Sequence, residues 1–167
     1  MKTTSSPAEA HWESQSTAVI IDFILRRFHE PLRRDLPRLI NSARLVEIEQ
    51  HPQAPLGLTK HLEQIKHSVE SHLEKEEKIL FPLIGAGRGG MAFMPIKVMM
   101  AEHEDHLANL ARTRALTHGF VLPPEANAAW QRLYQDLQDF ESDLNAHIQL
   151  ENNILFTRVM GNDVAQT

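Results

Sequence analysis

His72-Leu73-Glu74-Lys75-Glu76-Glu77-Lys78-Ile79-Leu80-Phe81 returns later in the chain as His147-Ile148-Gln149-Leu150-Glu151-Asn152-Asn153-Ile154-Leu155-Phe156. Both stretches read H-x-x-x-E-x-x-I-L-F. Upstream, His29-Glu30 stands 43 residues before the first histidine and His103-Glu104 stands 44 before the second. The chain therefore reads as two copies of one helix pair, each contributing two histidines and one glutamate. Residues i and i+4 project from one face of an α-helix about one turn apart. His72 with Glu76, and His147 with Glu151, thus each form a two-pronged face. Joined to the upstream histidines, the two faces make a symmetric site for two metal ions.

The surrounding pattern predicts helices on either side of these pairs. Val19, Phe23, Leu25, Phe28, Leu32, Leu36, Leu39, Ala43 and Val46 recur at three-to-four spacing, which marks a first helical region. Pro31 and Pro37 interrupt it. Since a proline inside a helix removes a hydrogen bond and clashes with the preceding turn, a kink or break is expected just after His29. After the turn-rich His51-Pro52-Gln53-Ala54-Pro55-Leu56-Gly57, a second helix is predicted over about residues 58–84, capped by Thr59. Its stripe is Leu62, Ile65, Val69, His72, Glu76 and Ile79. Past the glycine-rich joint at 85–90, a third helix from about Pro95 carries Ile96, Met99, Met100, His103, Leu107 and Leu110. Pro123-Pro124-Glu125 is expected to open a fourth, with proline and an acid suited to a first turn. That helix bears Trp130, Leu133, Leu137, Phe140, Leu144, His147, Glu151 and Leu155.

Four long helices with short connections predict an all-α fold, an antiparallel four-helix bundle built from two repeated helix pairs. At 167 residues and 42% hydrophobic content the chain suffices for one continuous core, assigned to residues 15–160. Residues 1–14 are expected to form a loose polar arm and residues 161–167 a tail. The net charge of −5 gives no electrostatic case for nucleic acid or an anionic membrane as partner. No apolar run has membrane-spanning length and the N-terminus has no apolar leader core, so a cytoplasmic location is expected.

The chain contains no cysteine. Any metal must be held by nitrogen and oxygen, without thiolate or disulfide chemistry. Six ionisable groups on apolar stripes need neutralising partners, since an unpaired buried charge costs on the order of several kcal/mol. A bundle whose histidines merely hydrogen-bond in pairs is the plainer alternative, but it does not explain the duplication. Four imidazoles and two carboxylates suit iron, manganese or zinc; a structural zinc needs only four ligands. Two redox-active non-haem iron ions fit best, carboxylate-bridged and with room for an oxo or hydroxo bridge. Their open positions would take O2, NO or peroxide.

These motifs resemble the hemerythrin-like (HHE) di-iron bundle. More specifically, Phe28-His29-Glu30-Pro31-Leu32-Arg33, Gly57-Leu58-Thr59-Lys60, the His72–Pro82 stretch, Pro95-Ile96-Lys97-Val98-Met99-Met100-Ala101-Glu102-His103-Glu104 and His147-Ile148-Gln149-Leu150-Glu151-Asn152-Asn153 resemble the bacterial di-iron proteins of iron–sulfur cluster repair. The likeness runs over about residues 17–160. It implies His29, His72, His103 and His147 as terminal ligands and Glu76 and Glu151 as bridging carboxylates. It further implies a role in the nitrosative and oxidative stress response, with damaged iron–sulfur proteins as partners and repair through iron release or NO chemistry. An NO buffer or sensor without turnover, and an O2 carrier or sensor, are the alternative functions. Relatives of this kind usually carry a cysteine pair in a small N-terminal domain, for which this cysteine-free chain has no counterpart.

Secondary candidates complete the reading. His106, at i+3 from His103, is an additional candidate on the third helix. His51 follows His29 by 22 residues, about 33 Å along a straight helix, and would reach the site only if the prolines fold the chain back. His11, His61, His67 and His118 are expected to face solvent. Glu30 and Glu104 could accept hydrogen bonds from imidazoles or belong to a solvated face, and Glu74, Lys75, Glu77 and Lys78 read as exposed charged surface.

Overall fold

The computed structural model describes residues 11–164, with the side chains of 162–164 excepted. Residues 1–10 of the expected arm and 165–167 of the expected tail lie outside this range. Four helical rods account for the bundle. The first comprises α1 (Thr17–Ile24), a π-helical stretch (Leu25–His29) and α2 (Glu30–Ile48). The second comprises α3 (Leu58–Lys75), a π-helical stretch (Glu76–Leu80) and α4 (Phe81–Gly85). The third is the uninterrupted α5 (Gly89–Leu116), and the fourth comprises α6 (Ala128–Leu150), a π-helical stretch (Glu151–Phe156) and α7 (Thr157–Val164).

Side-chain pairings fix the antiparallel arrangement. Between the first two rods, Arg33 pairs with Glu77 while Arg44 pairs with Glu63. His72 meets Glu102 and His61 meets Thr113 between the second and third. Between the third and fourth, His103 meets Asn152 and Arg114 meets Glu141; the ring closes with Arg27–Asp143 and Asn127–Glu49. Each numerical ascent on one rod is matched by a descent on the next. The interior is one apolar cluster that includes Ile20, Ile24, Leu36, Leu62, Ile65, Leu73, Trp130, Leu133 and Phe156. Burying each such side chain stabilises by about 1.5–3 kcal/mol.

Several local expectations are corrected. No break follows His29: Glu30 keeps right-handed helical dihedrals, and the helix continues through Pro31 directly after the π-helical stretch. There the Glu30 N–H reaches back to the Leu25 carbonyl, in the wider i to i−5 pattern. Thr59 is not a cap. The helix begins after Gly57, whose φ of 84° is a conformation glycine adopts without a Cβ clash, and Glu47 from the end of α2 accepts the Thr59 N–H. The third helix starts at Gly89, six residues before Pro95. The fourth starts at Ala128, because Asn127 caps it by accepting the Trp130 N–H at 2.9 Å. Pro123 and Pro124 stay in the preceding turn.

The π-helical stretch at Glu76 also shifts the buried stripe. Ile79, expected inside, is 52% exposed, while Leu80 and Phe81 take the core positions at 1% and 5%. Nor is all of the expected arm loose, because Trp12 packs on Phe23 and Arg158 donates to the carbonyls of Trp12, Glu13 and Gln15.

Candidate metal centre

The bundle brings all six predicted ligand residues to one buried locus. His29 closes the first π-helical stretch, Glu76 and Glu151 open the second and third, and His72, His103 and His147 lie on regular α-helix. Their donor atoms form two groups of four, His29/Glu76/His147/Glu151 and His72/Glu76/His103/Glu151, within each of which all atoms lie within 4.8 Å of one another. At the first position the Nε2 atoms of His29 and His147 are 3.2 Å apart. His29 Nε2 stands 3.4 Å from Glu76 Oε2, and His147 Nε2 stands 3.0 Å from Glu151 Oε1. At the second, His72 and His103 are 3.1 Å apart through Nε2. His72 then lies 3.4 Å from Glu76 Oε1 and His103 lies 3.2 Å from Glu151 Oε2. Each carboxylate therefore offers one oxygen to each position.

This donor set fits a pair of cations. Nitrogen and oxygen ligands about 2.0–2.2 Å from one ion would themselves be about 3–3.5 Å apart, the separation found here. All four oxygens of Glu76 and Glu151 are buried without a hydrogen-bond donor in suitable geometry. Two bare carboxylates in a dry interior are costly unless something positive lies between them. Burial, and then the charge of Glu151, push the Glu76 carboxyl well above the ordinary carboxylate range. That environment favours the protonated form of Glu76 when no cation is present.

Around the donors, partners hold the imidazoles. His29 donates through Nδ1 to Glu77 at 2.8 Å, and Arg33 holds that carboxylate in two bonds. His72 donates through Nδ1 to Glu102 at 2.9 Å, with Lys75 on its other oxygen. His103 donates to Asn152 Oδ1 at 2.9 Å. The phenylalanines that end the two repeats stack on the upstream histidines, Phe81 on His29 and Phe156 on His103. Glu77, Glu102 and Lys75 were not predicted for this role. The signal for Glu77 was present in the repeat, since Glu77 and Asn152 occupy equal places after the bridging glutamates; Glu102 has no such echo. Glu30 and Glu104 are exposed on the helix surface.

The remaining histidines divide. His11, His67 and His118 are exposed, as expected. His61 is not: it is buried, donating through Nε2 toward Asn109 O at 3.0 Å and near Thr113 Oγ1 at 3.2 Å. It precedes His72 by eleven residues, about three helical turns, and so shares its inward face. His51 packs instead against Trp130 and faces Glu125 at the turn before α6. His106 is buried with its ring centroid 4.9 Å from that of His72, outside both groups of four.

Burial foremost lowers the pKa of His29 to about 4, of His72 to about 3 and of His106 to about 4. In the metal-free protein these three refuse protons that the unfolded chain accepts below about pH 6.5. Glu76 acts with the opposite sign, binding in the folded state a proton that the unfolded chain has released. Burial also lowers the pKa of His61, and four against one leaves the unfolded state with more protons between about pH 6.5 and 4.5, so stability falls as pH falls. Thermal denaturation of chelated protein at pH 7 and pH 5 is expected to give the lower midpoint at pH 5. An equal or higher midpoint there would contradict the buried, neutral state of these histidines.

A four-helix bundle with buried histidines and carboxylates converging on two adjoining positions defines a cation-binding helical domain. The chain belongs to the hemerythrin family, described as the hemerythrin HHE cation binding domain, whose profile matches residues 21–159. Among curated relatives, the iron–sulfur cluster repair protein YtfE of Escherichia coli O81 (strain ED1a) is 40% identical over 164 residues, covering 97% of this chain and 74% of the relative. The protein of the same name from Pectobacterium carotovorum subsp. carotovorum (strain PC1) is 42% identical over 162 residues, covering 95% and 73%. Among the described residues, no helix is long and apolar enough to cross a membrane.

Proposed function

We propose that this protein serves in the repair of iron–sulfur centres, as its curated relatives are named to do, and that it does so in the cytoplasm with two non-haem irons in the domain spanning about residues 15–160. The observation that carries this reading is the division of each carboxylate, one oxygen of Glu76 and one of Glu151 toward either histidine pair. That arrangement suits two adjacent ions sharing both carboxylates and does not suit one. His29 and His147 would hold the first ion, and His72 and His103 the second.

When bound, the irons would supply redox chemistry and open positions for a small ligand such as NO or O2. The chain supplies the rest. Glu77 and Glu102 orient His29 and His72 and fix their Nε2 lone pairs inward. The apolar shell, including Phe28, Phe81 and Phe156, excludes bulk water and strengthens the electrostatic hold on any cation within.

The test is restoration of an iron–sulfur enzyme whose cluster has been broken by NO, in the presence of sulfide and reductant but no added iron. Iron-loaded protein is expected to return enzyme activity, whereas metal-free protein is expected to return none. Equal recovery with metal-free protein would contradict the proposal. If iron-loaded protein removes NO stoichiometrically without restoring the enzyme, storage of NO becomes the better reading.

A further inference from the structure

We infer that the two cation positions are unequal: the His72/His103 position is the anchor, and the His29/His147 position is the one from which an ion is readily released. This rests on the two-ion reading above and assigns the releasable iron to particular residues.

The inequality begins with the outer ring nitrogens. A carboxylate only accepts, so Glu102 fixes the His72 proton on Nδ1, and the Asn152 oxygen does the same for His103. Both Nε2 atoms of this pair are therefore bare lone pairs facing each other at 3.1 Å, with carboxylate oxygens alongside. Neither imidazole can donate to the other, and a cation is what both lone pairs can bind at once. At the other position Glu77 fixes His29 in the same way, but His147 Nδ1 is buried without a partner. His147 is then free to carry its proton on Nε2 and donate it to His29 Nε2 at 3.2 Å. The His29/His147 pair can satisfy itself without metal. An ion arriving there must break that hydrogen bond and send the proton to Nδ1, where nothing accepts it.

The repeat explains the missing partner. Glu102 stands one residue before His103 and serves His72 across the bundle; the residue one before His29 is Phe28. Phe28 stacks on His147, with centroids 5.3 Å apart and planes 21° from parallel, and its ring offers no carboxylate. Lys75, which holds Glu102, has Leu150 as its counterpart. A third difference lies on the same side. His106 is 1% exposed, packs edge-on against His72 and has neither ring nitrogen partnered, while its counterpart three residues after His29 is Leu32. Loss of the ion at His29/His147 would leave Glu76 and Glu151 still held by the other.

The test is release of iron from anaerobically loaded, full-length protein to a coloring ferrous chelator, with released metal counted against time. Loss of a hydrogen-bonding partner to a ligand histidine costs about 10–100-fold in metal affinity. Two phases of equal amplitude are therefore expected, with rates about tenfold or more apart. Glu102→Ala should bring the slow phase toward the fast one, since it frees His72 as His147 is free, and Glu77→Ala should accelerate the fast phase alone. Release of both ions in a single phase, or acceleration of the fast phase by Glu102→Ala, would overturn the inference. Loading of one ion per chain would instead contradict the two-ion reading. In that event, loss of the single ion in Glu102→Ala but not in Glu77→Ala would still support a stronger His72/His103 position, and the reverse would overturn it.

Discussion

Replacing Glu151 by alanine is expected to empty both cation positions, taking iron from two ions per chain to fewer than about 0.2 in protein purified without added metal, a loss of at least about tenfold in affinity at each position. The reason is geometric. Glu151 Oε1 lies beside His147 and Oε2 beside His103, so one substitution removes a donor from each group. A histidine variant such as His29→Ala, by contrast, touches only one group directly. The control is stability. Metal-free Glu151→Ala should be no less stable than metal-free wild type, because the substitution removes one of two buried carboxylates that lack donors. Elemental analysis with thermal denaturation separates the outcomes. Full iron content in Glu151→Ala would refute the shared-carboxylate arrangement, and a variant that fails to fold would show the carboxylate to be structural instead.

Removing the metal from the wild-type protein is expected to lower its thermal midpoint by more than about 10 °C. Each ion present at about 1,000 times its dissociation constant would stabilise the folded state by about 4 kcal/mol. For a chain of this size about 1 kcal/mol moves the midpoint by about 2–4 °C. Chelation also leaves two buried carboxyl groups with no cation between them and the His72 and His103 lone pairs opposed. Calorimetry of loaded and chelated samples at pH 7 measures the difference. A midpoint that does not move would mean that the folded chain gains nothing from a cation at this locus.

Much of the architecture was legible because the duplication repeats chemistry together with spacing. The i to i+4 rule puts His72 with Glu76, and His147 with Glu151, on shared faces, and the three-to-four periodicity of the surrounding apolar stripes turns those faces inward. What could not be read depends on backbone departures and on contacts between rods. The π-helical stretches at His29, Glu76 and Glu151 leave no composition signal, yet the one at Glu76 moves the buried register from Ile79 to Leu80 and Phe81. Asn127 overrides the two prolines as the start of α6 because its side chain satisfies a free N–H, which neither proline can do. Glu77 and Lys75 look like surface charges in a one-dimensional pattern and acquire their roles only when His29 and Glu102 arrive from other rods. The solvent-facing expectation for His61 fails, and periodicity itself argues against it, since His61, Ile65, Val69 and His72 follow at three-to-four spacing and all are buried.

The division of Glu76 and Glu151 between two histidine pairs is the feature on which the functional reading turns. Its most direct test is iron quantification of anaerobically purified full-length protein, with Mössbauer spectra of the oxidised sample. The account predicts two irons per chain, magnetically coupled through shared ligands. One ion per chain, or zinc in place of iron, would contradict it.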